Sequence, residues 1–489
     1  MVKCSNLSIL QITKKKLTLT LNVDGVKLSK NSQTTIWPIL LVVNEIPPNS
    51  RFKIENVIIA GVWPGPSKPS RGEIRLLLRP FIDELLYLES GYIFDFHDGT
   101  TDKVQVYLIG ACCDKPAQAI LQCISEPTAA FGCGRCEVSG FMVPTKNDGN
   151  VRSFSMDYDN TINVTKRSNK RYDELITIYQ LQQQLKDLWP NKKKLPDVLI
   201  DEQREKGIVG VCLFRDLTYF DVGRSFMSDS LHNVYIGAFK RMLDLWLNKK
   251  YRKENWNIVK HLKKLAELFS SLRLPSTTTR RPRSLLDYHK FKGNELRVHL
   301  LFGHRIFYRV LQQRYYNHLL QLVVLMHLAE KRKIDNVDLK IIQQLSRSIV
   351  VSFPELYSDR HCVQVVHSVL HIGDTVDDFG PITNYTTFQF ENDLGKFNGT
   401  CNFGRIRSIV TIDEAQRIIY VAQLQNVLPL ICSLDESTKY EFSGIQIAPK
   451  VLSSFILIDV DDIIEKTVLF ESPTLATCVY RFPNLIHSS

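Results

Sequence analysis

The chain has no long hydrophobic run, and this absence argues against several classes of protein. Its longest apolar stretch, residues 319–328, includes His327 and is too short to cross a bilayer. Residues 1–21 show neither the apolar core nor the small-residue cleavage site of a signal peptide, so we expect no secretion and no membrane partner. There is also no internal repeat and no Walker-type, GxGxxG or GxSxG motif.

The composition is that of a soluble globular protein with room for two or three domains, at 489 residues, 44% hydrophobic and 23% charged. The formal charge of +11 favours a polyanionic partner such as nucleic acid, although many basic proteins bind none. The eleven cysteines are an odd number and mostly dispersed, which fits a reduced intracellular setting. We therefore expect the protein in the nucleus, with the cytoplasm as the alternative.

Periodicity divides the chain into segments of different character. Residues 1–143 predict an α/β sheet with strands at 17–23, 37–43, 56–60 and 103–110 and a helix over 74–89. Residues 144–206 are polar and predict a linker with one helix near 172–188. Helical spacing then dominates 207–378, at 229–247, 256–270, 293–330, 336–350 and 361–378. A short segment over 379–401 follows, and β-branched runs at 406–412 and 455–460 predict a small β-rich module over 402–489.

Two pairs of metal-binding residue types lie far apart in the chain. Cys133 and Cys136 have zinc-knuckle spacing and glycine neighbours that permit a tight turn, although a redox pair has the same spacing. His367 and His371 lie four residues apart, as two ligands on one helix face would, although two surface histidines would look the same. Together the four side chains can form one closed tetrahedral zinc site. Such a site would clamp two halves of a split domain and bring Asp114 towards a later acid.

Three acidic residues are candidates for an active site, and each also has an ordinary structural explanation. Asp24 ends a predicted strand and, with Gly25, is typical of a hairpin turn. Asp114 follows a buried strand and precedes Pro116, so it is a good helix N-cap. Glu391 follows a short apolar segment and, taken alone, is typical of a solvated glutamate. Carboxylates at strand ends are nevertheless where α/β sheets place their active sites.

Further polar candidates lie in the helical segment. Asp229 is placed to cap a helix whose first turn contains His232, and we treat both as accessory site candidates. Basic clusters could contact DNA phosphates, although a solvated face is the default for such runs. The candidates for backbone contacts are Lys249, Lys250, Arg252, Lys253, Lys263, Lys264, Arg280, Arg281 and Arg283.

The ordered combination of these motifs resembles a DDE/D transposase of the CACTA type, the tnp2-like group of the CMC superfamily. The resemblance covers roughly residues 17–400, and the combination is far more specific than any single motif. The matching stretches are Asn22-Val-Asp-Gly25, Ile36-Trp-Pro-Ile39, Asn44-Glu-Ile-Pro-Pro48, Trp63-Pro-Gly-Pro66, Leu78-Arg-Pro-Phe-Ile-Asp-Glu-Leu85, Asp114-Lys-Pro-Ala117, the CxxC, Asp229-Ser-Leu-His-Asn-Val-Tyr-Ile-Gly237, His367-Ser-Val-Leu-His371, Gly380-Pro381 and Phe390-Glu391.

The resemblance implies a fold and a set of roles. The fold would be α/β, an RNase H-like mixed sheet split by a large all-helical insertion, followed by the small β-rich module. Asp24, Asp114 and Glu391 would be the catalytic triad, and their hard oxygen ligands suit Mg²⁺ or Mn²⁺. The two cysteines and two histidines would hold structural Zn²⁺.

The function that the resemblance implies is phosphodiester cleavage and strand transfer at transposon ends. The partner would be double-stranded DNA, both terminal inverted repeats and target, with self-association of the chain as a further expectation. The first alternative is a catalytically inactive, domesticated transposase that binds DNA or chromatin. A third interpretation is a zinc-stabilised cytoplasmic interaction protein whose basic charge is incidental.

Overall fold

A computed structural model gives the architecture of the chain. It describes residues 16–27, 35–53, 56–63, 65, 67–95, 101–145, 149–188, 206–272 and 282–391, together with strands between 418 and 481. The chain divides into two compact units, unit 1 with residues 1–238 and 333–398, and unit 2 with residues 239–332 and 399–489. All the candidate metal ligands belong to unit 1.

Unit 1 is built on a mixed sheet. Its strands are β1 (Lys16–Val23), β2 (Val26–Lys27), β3 (Thr35–Val43), β4 (Val57–Trp63), β5 (Tyr92–Asp95) and β6 (Thr101–Ala111). Strand β3 pairs antiparallel with β1, β2 and β4, whereas β6 pairs parallel with β1 and antiparallel with β5. The four strands predicted in this part of the sequence are confirmed as β1, β3, β4 and β6, and β2 and β5 are additions.

The helices account for most of the remaining described residues. The α-helices are α1 (Pro48–Arg51), α2 (Arg71–Ser90), α3 (Lys115–Leu121), α4 (Tyr158–Asn163), α5 (Asn169–Leu188), α6 (Lys240–Leu247), α7 (Leu262–Ser270), α8 (Gly293–Leu301), α9 (Gln313–Ala329), α10 (Asn336–Tyr357), α11 (Gln364–His367) and α12 (Leu370–Phe379). A π-helix covers Leu231–Phe239. Short 3₁₀ turns cover Leu213–Asp216, Lys249–Tyr251, Val259–His261, Leu285–Lys290, His304–Phe307, Asp359–His361 and Ile382–Asn384.

Helix α2 shows how the sequence produces the core of unit 1. Ser70 and Glu73 form a capping box that satisfies the first free amides of the helix. The apolar side chains of the helix then recur at three- and four-residue spacing and are buried in the same cluster as Leu19, Leu21 and Leu108 of the sheet. The helix predicted over 74–89 is therefore confirmed, and its amphipathic stripe explains why it covers the sheet.

The structure corrects the prediction of a turn at Asp24. Strand β1 ends at Val23 and β2 begins at Val26, and both pair with β3 without a shift in register. Asp24 thus lies inside one extended path along β3 and not at a reversal of the chain. Gly25 is required there for another reason, because a Cβ atom would lie 2.8 Å from the Trp37 ring.

Several helical segments differ from the periodicity that predicted them. The pattern over 293–330 is interrupted, since α8 and α9 are separate helices with a 3₁₀ turn between them. The pattern over 361–378 is likewise divided between α11 and α12. The polar stretch 144–206 begins at the last residue of β7 (Phe141–Pro144). It contains the hairpin partner of that strand, β8 (Asn150–Ser153), and helix α4 besides the helix predicted near 172–188. Phe154 and Thr161 within it are buried, so this stretch takes part in the packing of unit 1.

The C-terminal part of unit 2 consists of antiparallel strands where it is described. The strands are β9 (Ile418–Gln425), β10 (Leu428–Ser433), β11 (Lys439–Ala448), β12 (Lys450–Asp459), β13 (Thr467–Phe470) and β14 (Thr477–Arg481). They pair in the order β10-β11-β14-β13, with β12 pairing β9. The β-branched run at 455–460 falls largely in β12, and the run at 406–412 lies outside the described residues. Each helix in the described ranges is too short or too polar to cross a bilayer.

Candidate metal centres

Four buried side chains converge in unit 1 to form the first candidate centre. The ligand atoms of Cys133, Cys136, His367 and His371 all lie within 4.8 Å of one another. Cys133 Sγ is 3.4 Å from His371 Nε2, and Cys136 Sγ is 3.3 Å from His367 Nε2. All four are buried, so the alternative of two surface histidines is wrong.

The two glycines of the CxxC turn have a packing role. A Cβ atom at Gly134 would lie 2.0 Å from Gln118 Nε2, and one at Gly132 would lie 2.5 Å from the Glu126 carbonyl oxygen. Neither glycine has a positive φ angle. The turn therefore requires glycine because it is pressed against α3 and its own chain, and not because its backbone is left-handed.

The histidine pair is oriented by a further carboxylate. His371 Nδ1 lies 3.0 Å from Asp374 Oδ2, and Asp374 in turn forms a 2.6 Å ion pair with Lys166. A proton held on Nδ1 leaves the Nε2 lone pair facing the cysteines, which is the arrangement seen around metal-bound histidines. The sequence analysis did not identify Asp374, although an acid three residues after a ligating histidine on the same helix was available as a signal.

These observations fit a zinc ion. Two thiols and two imidazoles are the donor set of closed structural zinc sites, and their buried, convergent atoms have the required proximity. The cluster could therefore bind zinc. Since Cys136 and His367 are 231 positions apart, the site joins the first part of unit 1 to its last part.

A second polar centre lies at the ends of parallel strands. Leu21 of β1 pairs with Ala111 of β6, and Asp24 and Asp114 each lie three residues beyond that pair. Ala111 also forms a parallel bridge with Phe226, and Asp229 lies three residues beyond Phe226. Residues that lie the same number of positions beyond paired residues of parallel strands end up at the same edge of the sheet. The three aspartates therefore lie in one region.

Asp24 and Asp114 are held in a partly buried environment. Gly25 N donates to Asp24 Oδ1 at 2.6 Å, and Ala117 N donates to Asp114 Oδ1 at 2.7 Å. The N-cap interpretation of Asp114 is thus confirmed, and it occupies one carboxylate oxygen. Burial and then the Asp114 charge raise the pKa of Asp24 to about 7. Burial also raises the pKa of Asp114, with the Ala117 hydrogen bond partly offsetting it.

His232 connects the third acid of the predicted triad to Asp229. Its Nε2 lies 3.2 Å from Glu391 Oε1, and its Nδ1 lies 2.8 Å from Asp229 Oδ2. Asp229 also accepts from the His232 backbone amide at 2.8 Å and from the Thr387 hydroxyl at 2.7 Å. Glu391 is therefore a glutamate with one ion-pair partner, although its side chain is still 41% exposed to solvent. The N-cap interpretation of Asp229 holds as well, here at the start of the π-helix.

Electrostatics links these groups into one cluster. Burial lowers the pKa of His232, but hydrogen bonds to Asp229 and Glu391 outweigh it and raise the pKa well above its usual value. The His232 charge acts on Asp24 and Asp114, and Asp24 also senses Glu391. Lys68 is close enough to lower the pKa of Asp114. Without a cation, the arrangement is an acid cluster with one central imidazole.

The basic candidates for DNA contacts belong to unit 2. Lys249, Lys250, Arg252, Lys253, Lys263 and Lys264 are exposed. Arg283 is half-buried, lies 3.6 Å from Glu295 and donates 2.5 Å to the Lys290 carbonyl, so it is partly engaged within the unit. Arg280 and Arg281 lie outside the described residues.

Comparison with known families finds a match over the first part of the chain. Residues 7–171 match a family described as Transposase family tnp2. The matched part includes Asp24, Asp114, Cys133 and Cys136, whereas His367, His371 and Glu391 lie beyond it. A search of curated proteins gave no match to the chain. Residues 7–171 of the chain are therefore similar to a transposase family.

Proposed function

We propose that the protein is a DNA transposase of the CACTA type that cleaves and joins phosphodiester bonds with Mg²⁺ or Mn²⁺ held by Asp24, Asp114 and Glu391. The observation that carries the proposal is the common three-residue offset of Asp24 and Asp114 beyond the paired residues Leu21 and Ala111. That offset brings two carboxylates to one sheet edge, where Glu391 acts on Asp24 electrostatically.

The order of the strands supports an RNase H-like fold for unit 1. Strands β1, β3 and β4 follow one another as antiparallel neighbours, α2 comes next, and β6 returns parallel to β1. The first acid then follows the central strand and the second follows its parallel neighbour. The helices between the second acid and Glu391 correspond to the proposed insertion.

Carboxylate oxygens are the ligands that Mg²⁺ and Mn²⁺ prefer. Among the described residues only the two cysteines and two histidines lie close enough together to share one ion, so the three acids would have to draw together around a cation. A bound Mg²⁺ or Mn²⁺ would neutralise charge on the scissile phosphate and lower the pKa of an attacking water. Asp24 and Asp114 each use one oxygen for a backbone amide, so each has a second carboxylate oxygen for a cation. The raised pKa of Asp24 reflects burial and carboxylate repulsion, both of which a cation would relieve.

His232 and Asp229 have supporting parts in this proposal. Asp229 fixes one ring nitrogen of His232, so the other nitrogen is directed at Glu391. Glu391, whose side chain is 41% exposed, is thereby held beside the cluster. The four-residue zinc clamp holds the helices that precede Glu391 against the CxxC turn that follows α3.

The proposed partner is double-stranded DNA, first the terminal inverted repeats and then the target. The exposed lysines and Arg252 of unit 2 would contribute backbone affinity that weakens with salt. Self-association would bring two DNA ends together, and the nucleus would be the site of action.

A nicking assay tests the proposal. Purified protein is incubated with duplexes carrying the element's inverted repeats in Mg²⁺, in Mn²⁺ or in chelator. We expect nicks at the repeat ends only with a divalent cation, and none with Asp24→Asn or Glu391→Gln. DNA binding without cleavage in any cation would instead identify a non-catalytic DNA-binding protein.

A further inference from the structure

Arg135 lies within the CxxC turn, and its charged side chain is buried and not on the surface. The side chain is 4% exposed. Its Nη2 lies 3.0 Å from Asp378 Oδ2, and its Nη1 donates to the carbonyls of Gly223, Arg224 and Phe226. A single guanidinium thus joins a candidate zinc turn to a stretch of chain about ninety residues later.

That stretch is the one that leads to the acid cluster. Ala111 N donates to the Ser225 carbonyl at 2.8 Å, and Met227 N donates to the Ala111 carbonyl at 2.9 Å. Residues 223–227 therefore lie along the end of β6. Their partner Ala111 is three residues before Asp114, and Met227 is two residues before Asp229. The contact is tight, because a Cβ atom on Gly110 would lie 2.2 Å from the Met227 methyl.

The other partner of Arg135 returns to the zinc cluster. Asp378 lies on α12, the helix that carries His371, and it is 9% exposed in the ion pair. Asp378 also accepts from Arg224 Nε at 3.0 Å. Arg135, Arg224 and Asp378 therefore form a closed network between the CxxC turn, the histidine helix and residues 223–227.

We propose that Arg135 is a positioning residue that couples zinc occupancy of the clamp to the geometry of the acid cluster. The inference rests on the proposed function, since it assumes a divalent cation at Asp24 and Asp114. Zinc fixes the CxxC turn and α12, and through them the position of the guanidinium. The guanidinium in turn fixes the carbonyls of residues 223–226, and with them Asp229 and its hydrogen bond to His232.

Burial makes this link sensitive to the loss of any one partner of the guanidinium. A buried guanidinium is tolerated only when its N–H groups are satisfied, and here the partners are one carboxylate and several carbonyls. Loss of zinc releases two of the elements that hold the network. Residues 223–227 then keep their pairing with Ala111 and the hydrogen bonds of Gly223, Arg224 and Ser225 to Asp221, but the network with Arg135 and Asp378 no longer fixes them from the side of the zinc cluster.

The experiment measures Mn²⁺ binding to the folded, zinc-loaded protein, by titration calorimetry with electron paramagnetic resonance of free Mn²⁺. The variants are Arg135→Lys, which keeps the charge but not the planar fork, and Asp378→Asn, which keeps an acceptor. We expect each to retain zinc by metal analysis and to bind Mn²⁺ about tenfold more weakly or worse. A role in stability alone would lower the melting temperature and leave the Mn²⁺ affinity of the folded protein unchanged.

Arg171→Gln is the matched control. Arg171 forms a bidentate pair with Glu137 beside the CxxC turn, at 2.7 and 3.1 Å, and its hydrogen bonds within the described residues go to Ser168, Glu137 and Glu174 and not to residues 223–229. This variant should bind both metals as the wild type does. Wild-type Mn²⁺ affinity in both network variants, with zinc retained, overturns the coupling while the proposed function stands. Absence of Mn²⁺ binding by the wild type overturns both.

Discussion

His232 forms a bridge to Glu391, with Nε2 of the imidazole 3.2 Å from Oε1 of the carboxylate. The opposite ring nitrogen is held by Asp229, which is buried and has further bonds from Thr387. The side chain of His232 therefore connects Glu391 to the sheet edge at which Asp24 and Asp114 lie. Glu391 reaches the cluster by this contact and not by a strand of its own.

Replacing His232 should weaken catalysis without removing zinc. His232→Ala leaves the buried Asp229 without its main partner and leaves Glu391 free to turn into solvent. We expect the single-turnover nicking rate to fall about 10- to 100-fold, as for partners behind metal ligands. His289→Ala, on an exposed histidine of unit 2, is the control and should nick at the wild-type rate. Equal rates for both variants would remove His232 from the mechanism.

Loss of one clamp ligand should remove zinc and destabilise unit 1. Cys133→Ser or His371→Ala breaks a closed four-ligand set that joins distant parts of the chain. We expect zinc content to fall from about one ion per chain to near zero, and the thermal midpoint to fall with it. Cys212→Ser is the control, since Cys212 is equally buried and outside the cluster. If removing zinc from the wild-type protein left its thermal midpoint unchanged, that result would contradict the clamp.

The CxxC turn should not tolerate a methyl group at Gly134. The added Cβ would lie 2.0 Å from Gln118 Nε2 and 2.5 Å from Gln122 Oε1. We expect Gly134→Ala to lower the free energy of unfolding by about 1–3 kcal/mol, with weaker zinc binding. Gly72→Ala is the matched change. Gly72 lies in helix α2, and the atom nearest to an added Cβ would be Ser70 Oγ, 4.0 Å away. That variant should be neutral or slightly stabilising, and chemical denaturation of both would compare them.

Unit 2 contains a histidine that should make stability depend on pH. His299 stacks on Phe269 and Phe291, with centroids 3.6 and 4.4 Å away, and neither ring nitrogen has a partner among the described residues. Burial lowers its pKa from 6.5 to about 3. The unfolded state therefore binds the extra proton first, and stability is lost as pH falls below about 6.5.

His299→Phe keeps a flat apolar ring in the same stack and removes this proton. Between pH 8 and pH 5, the wild type should lose about 2 kcal/mol of unfolding free energy more than the variant does. Urea denaturation at the two pH values measures the difference. Parallel losses in the two proteins would show that His299 does not titrate on unfolding.

Much of the sheet was predictable because its determinants are local. The alternation in Leu17–Val23 and the periodicity of residues 74–89 specify a strand and a helix whatever their partners. The convergence of the two cysteines and two histidines was predictable for a different reason, since Cys and His at these spacings have few other uses together. What periodicity could not give is register. The equal offsets of Asp24, Asp114 and Asp229 beyond paired residues follow from pairing between distant segments.

The corrections have the same origin. Asp24-Gly25 has the composition of a turn, yet the pairing of β2 with β3 keeps the chain extended through it. The glycine is there because of Trp37, which lies across the neighbouring strand. Likewise, the polar segment after residue 144 is partly buried because Phe154 and Arg167 form hydrogen bonds with residues distant in the sequence, Cys362 and Cys133 respectively. Asp374 and Arg135 acquire their roles only once α12 lies against the CxxC turn.

The most direct test of the proposed function compares Asp114→Asn with Asp157→Asn in the Mn²⁺-dependent nicking assay. Both aspartates are N-caps, accepting from Ala117 N and Asn160 N at 2.7 Å, and asparagine caps a helix about as well as aspartate does. Both changes therefore keep a capping side chain, and they differ in whether a carboxylate is lost from the acid cluster. We predict no nicking by Asp114→Asn and wild-type nicking by Asp157→Asn. Nicking by Asp114→Asn at the wild-type rate would contradict the assignment of this site as catalytic.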